Sequence, residues 1–222
     1  MNPTLAFKDP TTGRLRGPAL ELASALATRI GVELVPVEYP SPGAVLQGIE
    51  TKAWDLTFLV VDPGRAGVVD FSTPYMQSDF TYLVSGESTV RAVADVDRPG
   101  IRVAVVRNDA SDLRLTRLLK QAELVRADDI NGAIELLRAS RADAAAAPRP
   151  VLSAQVAKLS GARLLDEGFA LISYAVVVPK GNEGWLAYVS EFVDEAKASG
   201  LVSRTIESAG LRGVKVAPSR NQ

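Results

Sequence analysis

The chain has 222 residues, 47% of them hydrophobic and 23% charged, and its 25 Lys and Arg against 26 Asp and Glu leave a formal net charge of −1. That length suits one large domain or two units of about 100 residues each, and the interspersed charge marks neither a nucleic-acid surface nor one for anionic membranes. With no Cys and no His, disulfides, zinc–thiolate sites and Ser-His-Asp or Cys-His catalysis within this chain are excluded, leaving carboxylates, Lys or Tyr for any chemistry.

The first residues, NPTLAFKDPTTG after Met1, are polar and contain Pro, which is not the pattern of a signal peptide. The longest apolar runs fall well short of the roughly 20 residues needed to span a bilayer. Residues 18–30, PALELASALATRI, carry a helical apolar face and stop at Gly31, a C-terminal signal. Residues 32–37 read as a strand, PSPG at 40–43 as a turn, 44–51 as a short helix and 56–61 as a buried strand. A strand at 82–84 precedes the polar SGEST of 85–89, a candidate boundary.

A second block opens with a strand at 101–106, IRVAVV, followed by the turn RND and a helix over 111–121. A strand at 124–126, a helix at 131–140 and an Ala-rich strand at 143–147 continue it, with a helix at 150–159. A strand at 171–178 and helices at 184–199 and 201–209 complete the pattern. No repeat is visible at solenoid periods. Alternating strands and helices predict an α/β protein with mostly parallel sheets flanked by helices, in two lobes. In such sheets ligands bind beyond the carboxyl ends of the strands. The turns at 62–65 and 107–110 each follow a strand and belong at that rim.

Five stretches carry a family resemblance. They are GRLRGPALELASALATRIGVELVPVEY from Gly13, AWDLTFLVVDPGRAGVVDFSTPY from Ala53, PGIRVAVVRNDASDLRLTRLL from Pro99, RADAAAA from Arg141 and SYAVVVPKGN from Ser173. Together they resemble bacterial extracellular solute-binding proteins of family 3, the polar amino-acid type that feeds ABC transporters. The most specific part is Phe71-Ser72-x-Pro74-Tyr75 with Arg65 six residues before Phe71.

The resemblance implies a type II periplasmic-binding-protein fold, with lobe one over 1–84 plus 176–222, lobe two over 85–175, and a solute held between them. It implies a periplasmic, non-catalytic clamp with a membrane permease as partner, no cofactor, no metal and no nucleic acid. It also implies that Arg65 binds the solute's carboxylate, a role suited to the parallel N–H donors of a guanidinium. Asn108, Ala110 and Ser111, at the turn leading into a helix, are the expected contacts from lobe two, where backbone N–H groups hold anions. Asp109 is read as that helix's N-cap, with Asp112 completing a capping box. Asp62 is a further ligand candidate, and Phe58 and Tyr75, with Trp54 and Tyr39, are candidate walls.

Departures from the family narrow what carries over. Amino-acid binders have a Ser/Thr-rich run before the arginine and an Asp in lobe two for the ligand's ammonium. Here the run is FLVVDPG, and the position after DAAAA is Pro148. A small carboxylate-bearing or related anionic solute is therefore expected, with an amino-acid-like solute, its ammonium served by Asp62 or Asp109, as the alternative. Two alternatives stand beside it: an enzyme of the cyclohexadienyl-dehydratase type, with Asp62, Asp109 or Glu167 as general acid, and a sensor domain of a receptor or regulator.

Overall fold

The computed structural model describes residues 4–9, 11–156 and 158–219. It divides into two compact units, residues 1–77 with 173–222 and residues 78–172. The chain passes from one to the other between residues 77 and 78 and returns between 172 and 173.

The first unit opens with a small hairpin, β1 (Phe7–Lys8) and β2 (Leu15–Arg16), paired antiparallel. Helix α1 (Pro18–Ile30) follows, with Pro at the first turn, where a missing N–H is harmless. It ends at Gly31, which takes the left-handed φ of 71° and donates its N–H to the carbonyls of Ala27 and Thr28. Its inward face is Leu22, Ala23, Leu26 and Ala27. Helix α2 (Pro42–Gln47) is capped by Ser41, whose hydroxyl accepts from Ala44 N. Strand β3 (Thr57–Val60) leads into a single 3₁₀ turn over Pro63–Arg65. The long strand β4 (Val69–Val84) then carries the chain into the second unit.

The second unit contains β5 (Arg102–Val106), α3 (Ala110–Leu118), β6 (Glu123–Ala127), α4 (Ile130–Arg138), β7 (Ala144–Pro148), α5 (Arg149–Val156) and β8 (Arg163–Leu164). Strand β5 pairs parallel with both β6 and β7, whereas β7 and β8 pair antiparallel with the distal half of β4. Period-two alternation sends Val103, Val105, Ala144 and Ala146 to one core cluster with Tyr82 and Leu115. It sends Ala104, Ala145 and Ala147 to another, with Leu83, Ile134 and Leu152. Both faces of β5 and β7 are thus buried, which is why these two strands read as nearly unbroken apolar runs.

Strand β9 (Ala170–Pro179) returns the chain to the first unit, followed by α6 (Glu183–Ala198), α7 (Leu201–Ser208) and β10 (Lys215–Val216). There β9 pairs antiparallel with β3, in the register Phe58↔Val176 and Val60↔Tyr174, and β10 pairs antiparallel with β4.

Three expectations need correction. The sheet is mixed rather than mostly parallel: in the first unit β1 with β2, β3 with β9 and β10 with β4 pair antiparallel, because β3, at the edge, pairs with a strand returning from the second unit. Residues 32–37 form no strand, and Val32, Val35 and Val37 are exposed. Apolar alternation alone does not make a strand without a ladder partner, and Pro36 removes one donor. The helix expected over 150–159 begins at Arg149 and ends at Val156, and residue 157 lies outside the described residues.

Candidate functional site

Arg65 sits on the 3₁₀ turn just past the carboxyl end of β3 and is 4% exposed. The turn exists because Pro63 presets φ and Asp62 caps it, its carboxylate accepting from Gly64 N at 2.7 Å. Backbone bonds from Arg65 N to Asp62 O at 3.0 Å and from Val68 N to Arg65 O at 3.1 Å tighten the loop. The guanidinium is folded back over the strand it follows, with Nη1 donating to Val60 O at 3.3 Å. A buried guanidinium carries parallel N–H donors of the geometry that matches a carboxylate.

The candidate walls of this unit differ in character. Phe58 and Tyr75 meet edge to face, ring centroids 5.8 Å apart. Tyr75 is fully buried, its hydroxyl has no hydrogen-bond partner among the described residues, and burial pushes its pKa well above the ordinary phenol value. Trp54 instead packs against the Leu59–Val69–Val177 cluster and donates its indole N–H to Val45 O at 2.8 Å. The Tyr39 hydroxyl and the Trp54 indole both crowd Gly48, where a Cβ would come within 2.7 Å and 3.0 Å of them.

In the second unit the carboxyl ends of β5, β6 and β7 share one edge, because these strands run parallel. After β5 comes the turn of Arg107, Asn108 and Asp109. Asn108 takes φ 58°, the left-handed conformation that Asn tolerates nearly as well as Gly. Asp109 caps α3 by accepting from Ala110 N at 2.6 Å. Asp112 does not close the capping box expected of it. Its carboxylate accepts Asn108 N at 2.9 Å and Arg126 Nε at 2.9 and 3.1 Å, so it ties the turn to β6 rather than to the cap residue. Ala110 and Ser111 occupy the first turn of α3 and are 2% and 0% exposed. The Ser111 hydroxyl is buried without a hydrogen-bond partner among the described residues. Such a group normally has a partner, so an orphaned one calls for an explanation.

After β7 comes a feature that sequence reading missed. Arg149 follows Pro148 directly and holds Asp79 through Nε at 2.8 and 2.9 Å and Nη2 at 2.5 Å. It also donates to the carbonyls of Leu165 at 3.1 Å and Asp166 at 3.0 Å. The Asp79 carboxylate holds the guanidinium pKa above its ordinary value, with burial opposing. An Arg straight after an apolar strand is the same signal that singled out Arg65; its acid lies 70 residues away and gave no local cue. At the unit boundary, Gln77 Nε2 donates to Ser173 Oγ at 3.2 Å and links the two crossing segments. Glu167, a candidate acid, offers its backbone carbonyl to Thr81 Oγ1 at 2.9 Å. Among the described residues no group of three His, Cys, Asp or Glu is arranged to hold a metal, and no helix is long and apolar enough to cross a membrane.

Residues 2–209 match the model of the bacterial extracellular solute-binding proteins, family 3. Among solved structures, a mutant of ArgBP from T. maritima is 26% identical, with a TM-score of 0.81 over 94% of this chain and 90% of that one. The amino acid ABC transporter substrate-binding protein AbpA from Streptococcus pneumoniae, bound to L-arginine, is 25% identical, with a TM-score of 0.78 over 93% and 89%. The ancestral amino acid-binding protein AncCDT-1, a precursor of cyclohexadienyl dehydratase, is 25% identical, with a TM-score of 0.80 over 92% and 89%.

Proposed function

The chain belongs to the bacterial extracellular solute-binding proteins of family 3 and has their α/β, type II periplasmic-binding-protein fold, and from that premise we propose that it is a non-catalytic capture protein for a small carboxylate-bearing solute. The observation that carries this reading is Arg65, a guanidinium 4% exposed and held at the carboxyl end of β3. In our reading Arg65 of the first unit takes the carboxylate. The first turn of α3, with Asn108, Ala110 and the orphaned Ser111 hydroxyl, supplies the second unit's contacts. Asp62, Phe58 and Tyr75 shape the Arg65 side. The two units, divided by our reading into a lobe on each side of the solute, close on it, and the closed form is what the permease of an ABC uptake system outside the cytoplasm recognises.

The non-catalytic reading is favoured over the dehydratase type because two of the candidate acids are engaged locally. Asp62 caps the 3₁₀ turn and Asp109 caps α3. Calorimetric titration of small carboxylates into the chain and into Arg65→Ala tests the assignment. Removing one member of a desolvated charge pair costs about 2–5 kcal/mol, so affinity should fall roughly 30-fold to several thousand-fold. Unchanged affinity in a variant whose circular dichroism matches the parent would refute the role of Arg65.

A further inference from the structure

The turn that leads from β5 into α3 carries a buried acid. Asp109 N donates to Val106 O at 3.0 Å and closes the turn, with Asn108 at its third position in the left-handed conformation. The Asp112 carboxylate, 4% exposed, folds back from α3 to accept Asn108 N–H at 2.9 Å. Arg126 reaches it from β6, which pairs parallel with β5 and sets Arg126 opposite Val105. Its Nε donates to both Asp112 oxygens at 2.9 and 3.1 Å, and its Nη2 donates to Thr116 Oγ1 at 2.9 Å. Thr116 in turn donates to Asp112 Oδ1 at 3.3 Å.

From this arrangement we infer that Arg126 is a positioning residue for the second unit's solute contacts, acting through Asp112. The inference rests on the reading that the first turn of α3 meets the solute, and deepens it. Two effects combine. The first is shape: a non-glycine residue in the left-handed region has to be held by its surroundings, and the bond from Asn108 N–H to Asp112 is such a hold. Arg126 and Thr116 fix where that carboxylate points. The second is charge. The first-turn N–H groups of a helix favour an anion, but an acid buried in the same turn repels one unless its charge is balanced. The Arg126 guanidinium supplies the balance, in the forked geometry that a lysine cannot reproduce.

The test joins two measurements on the whole chain: calorimetric titration with acetate, pyruvate, L-lactate, L-glutamate and L-arginine, and amide hydrogen exchange at Asn108 followed by NMR. Arg126→Gln should weaken whichever of these solutes binds about tenfold, the effect of one unbalanced like charge nearby, and should speed exchange of the Asn108 N–H. Adding Asp112→Asn should bring affinity back to within about threefold of the parent, since the amide oxygen still accepts Asn108 N–H and no charge is left unbalanced. A pair with a merely structural role would lose at least as much in the double variant. Arg126→Lys, which keeps the charge without the fork, should lie between, and it carries the comparison if Arg126→Gln does not fold. Parental affinity with parental exchange in the Arg126 variants overturns the inference alone. Parental affinity with faster exchange means that Arg126 holds a turn the solute does not touch, and overturns the second unit's contacts together with the inference. A double variant no better than Arg126→Gln overturns the inference. Binding of none of the five solutes overturns the carboxylate reading and the inference with it.

Discussion

Gly168→Ala probes the close packing around the Asp79–Arg149 pair directly. A Cβ at residue 168 would stand 2.8 Å from Asp79 Cβ and 2.9 Å from its Cγ, against a carbon–carbon optimum of about 3.5–4.0 Å. Rotating the carboxylate cannot relieve the first contact, because χ1 does not move Cβ. Either the backbone of β4 or the loop before residue 168 has to shift. Arg149 bonds both, through the Asp79 carboxylate and through the carbonyls of Leu165 and Asp166, so either movement breaks part of its contact set. Charge-assisted bonds contribute about 1.5–3 kcal/mol each when well buried. Here the side chains are 20% and 26% exposed, so losing two of them should cost about 2–3 kcal/mol after allowance for solvent. For a chain of this size that corresponds to a fall in Tm of about 4–12 °C by differential scanning calorimetry. Asp79→Gly removes the obstruction, Cβ included, as well as the pair. Adding Gly168→Ala to it should therefore cost little, giving a coupling of about 2 kcal/mol in the double-mutant cycle. Additive losses would show that Gly168 and Asp79 do not touch, and the close packing would fail as a description.

Two further outcomes concern the rest of the second unit. Asn108 holds φ 58°, so Asn108→Ala should lose about 1–2 kcal/mol in urea unfolding while Asn108→Gly loses less; equal losses would place the turn outside the left-handed region. The Asp143 carboxyl is pushed up by burial, but its bonds with Arg102 outweigh that and hold it below the ordinary carboxylate value. A depressed folded pKa adds stability that is present above the unfolded value of about 3.9 and is lost as pH falls through the folded one. Urea midpoints should therefore fall between pH 5 and pH 2, and Asp143→Asn should lessen that fall; an identical slope would mean that the Arg102 pair does not form in solution.

Local signals sufficed wherever an element carries its own ends or its own period. Helix α1 matches the expected 18–30 because Pro18 and Gly31 punctuate it. Strand β4 runs from Val69 to Val84, yet only 82–84 reads as strand, since Asp70, Ser72, Thr73, Pro74, Gln77 and Ser78 interrupt the apolar run. Several of these side chains, and Thr81 beyond them, find partners far along the chain. Ser72 Oγ accepts Val176 N, Thr73 Oγ1 donates to Ser190 O, and Thr81 Oγ1 donates to Leu165 O. The same logic divides the site. Arg65 and the turn at 107–110 are visible as residues following a strand. The Asp79–Arg149 and Asp112–Arg126 pairs depend on strand order, which no window of sequence contains.

Strand β7 shows why the Asp79–Arg149 pair matters to the fold. Four consecutive alanines favour a helix in isolation, and they become a strand because β4 and β5 supply ladders on both sides. Small side chains there leave room for Tyr82, Leu83, Ile134 and Leu152 to fill the two faces. Alanine, however, contributes little packing of its own to fix where the strand ends. Arg149, by joining Asp79 of β4 to the carbonyls of Leu165 and Asp166, pins that end to two neighbouring segments. Anchoring then rests on one ion pair, so Arg149→Gln should lower the thermal midpoint in differential scanning calorimetry. Gly168→Ala, which crowds the same pair without deleting a charge, should lower it too, and a midpoint unchanged by Arg149→Gln would show that the pair does not anchor the strand.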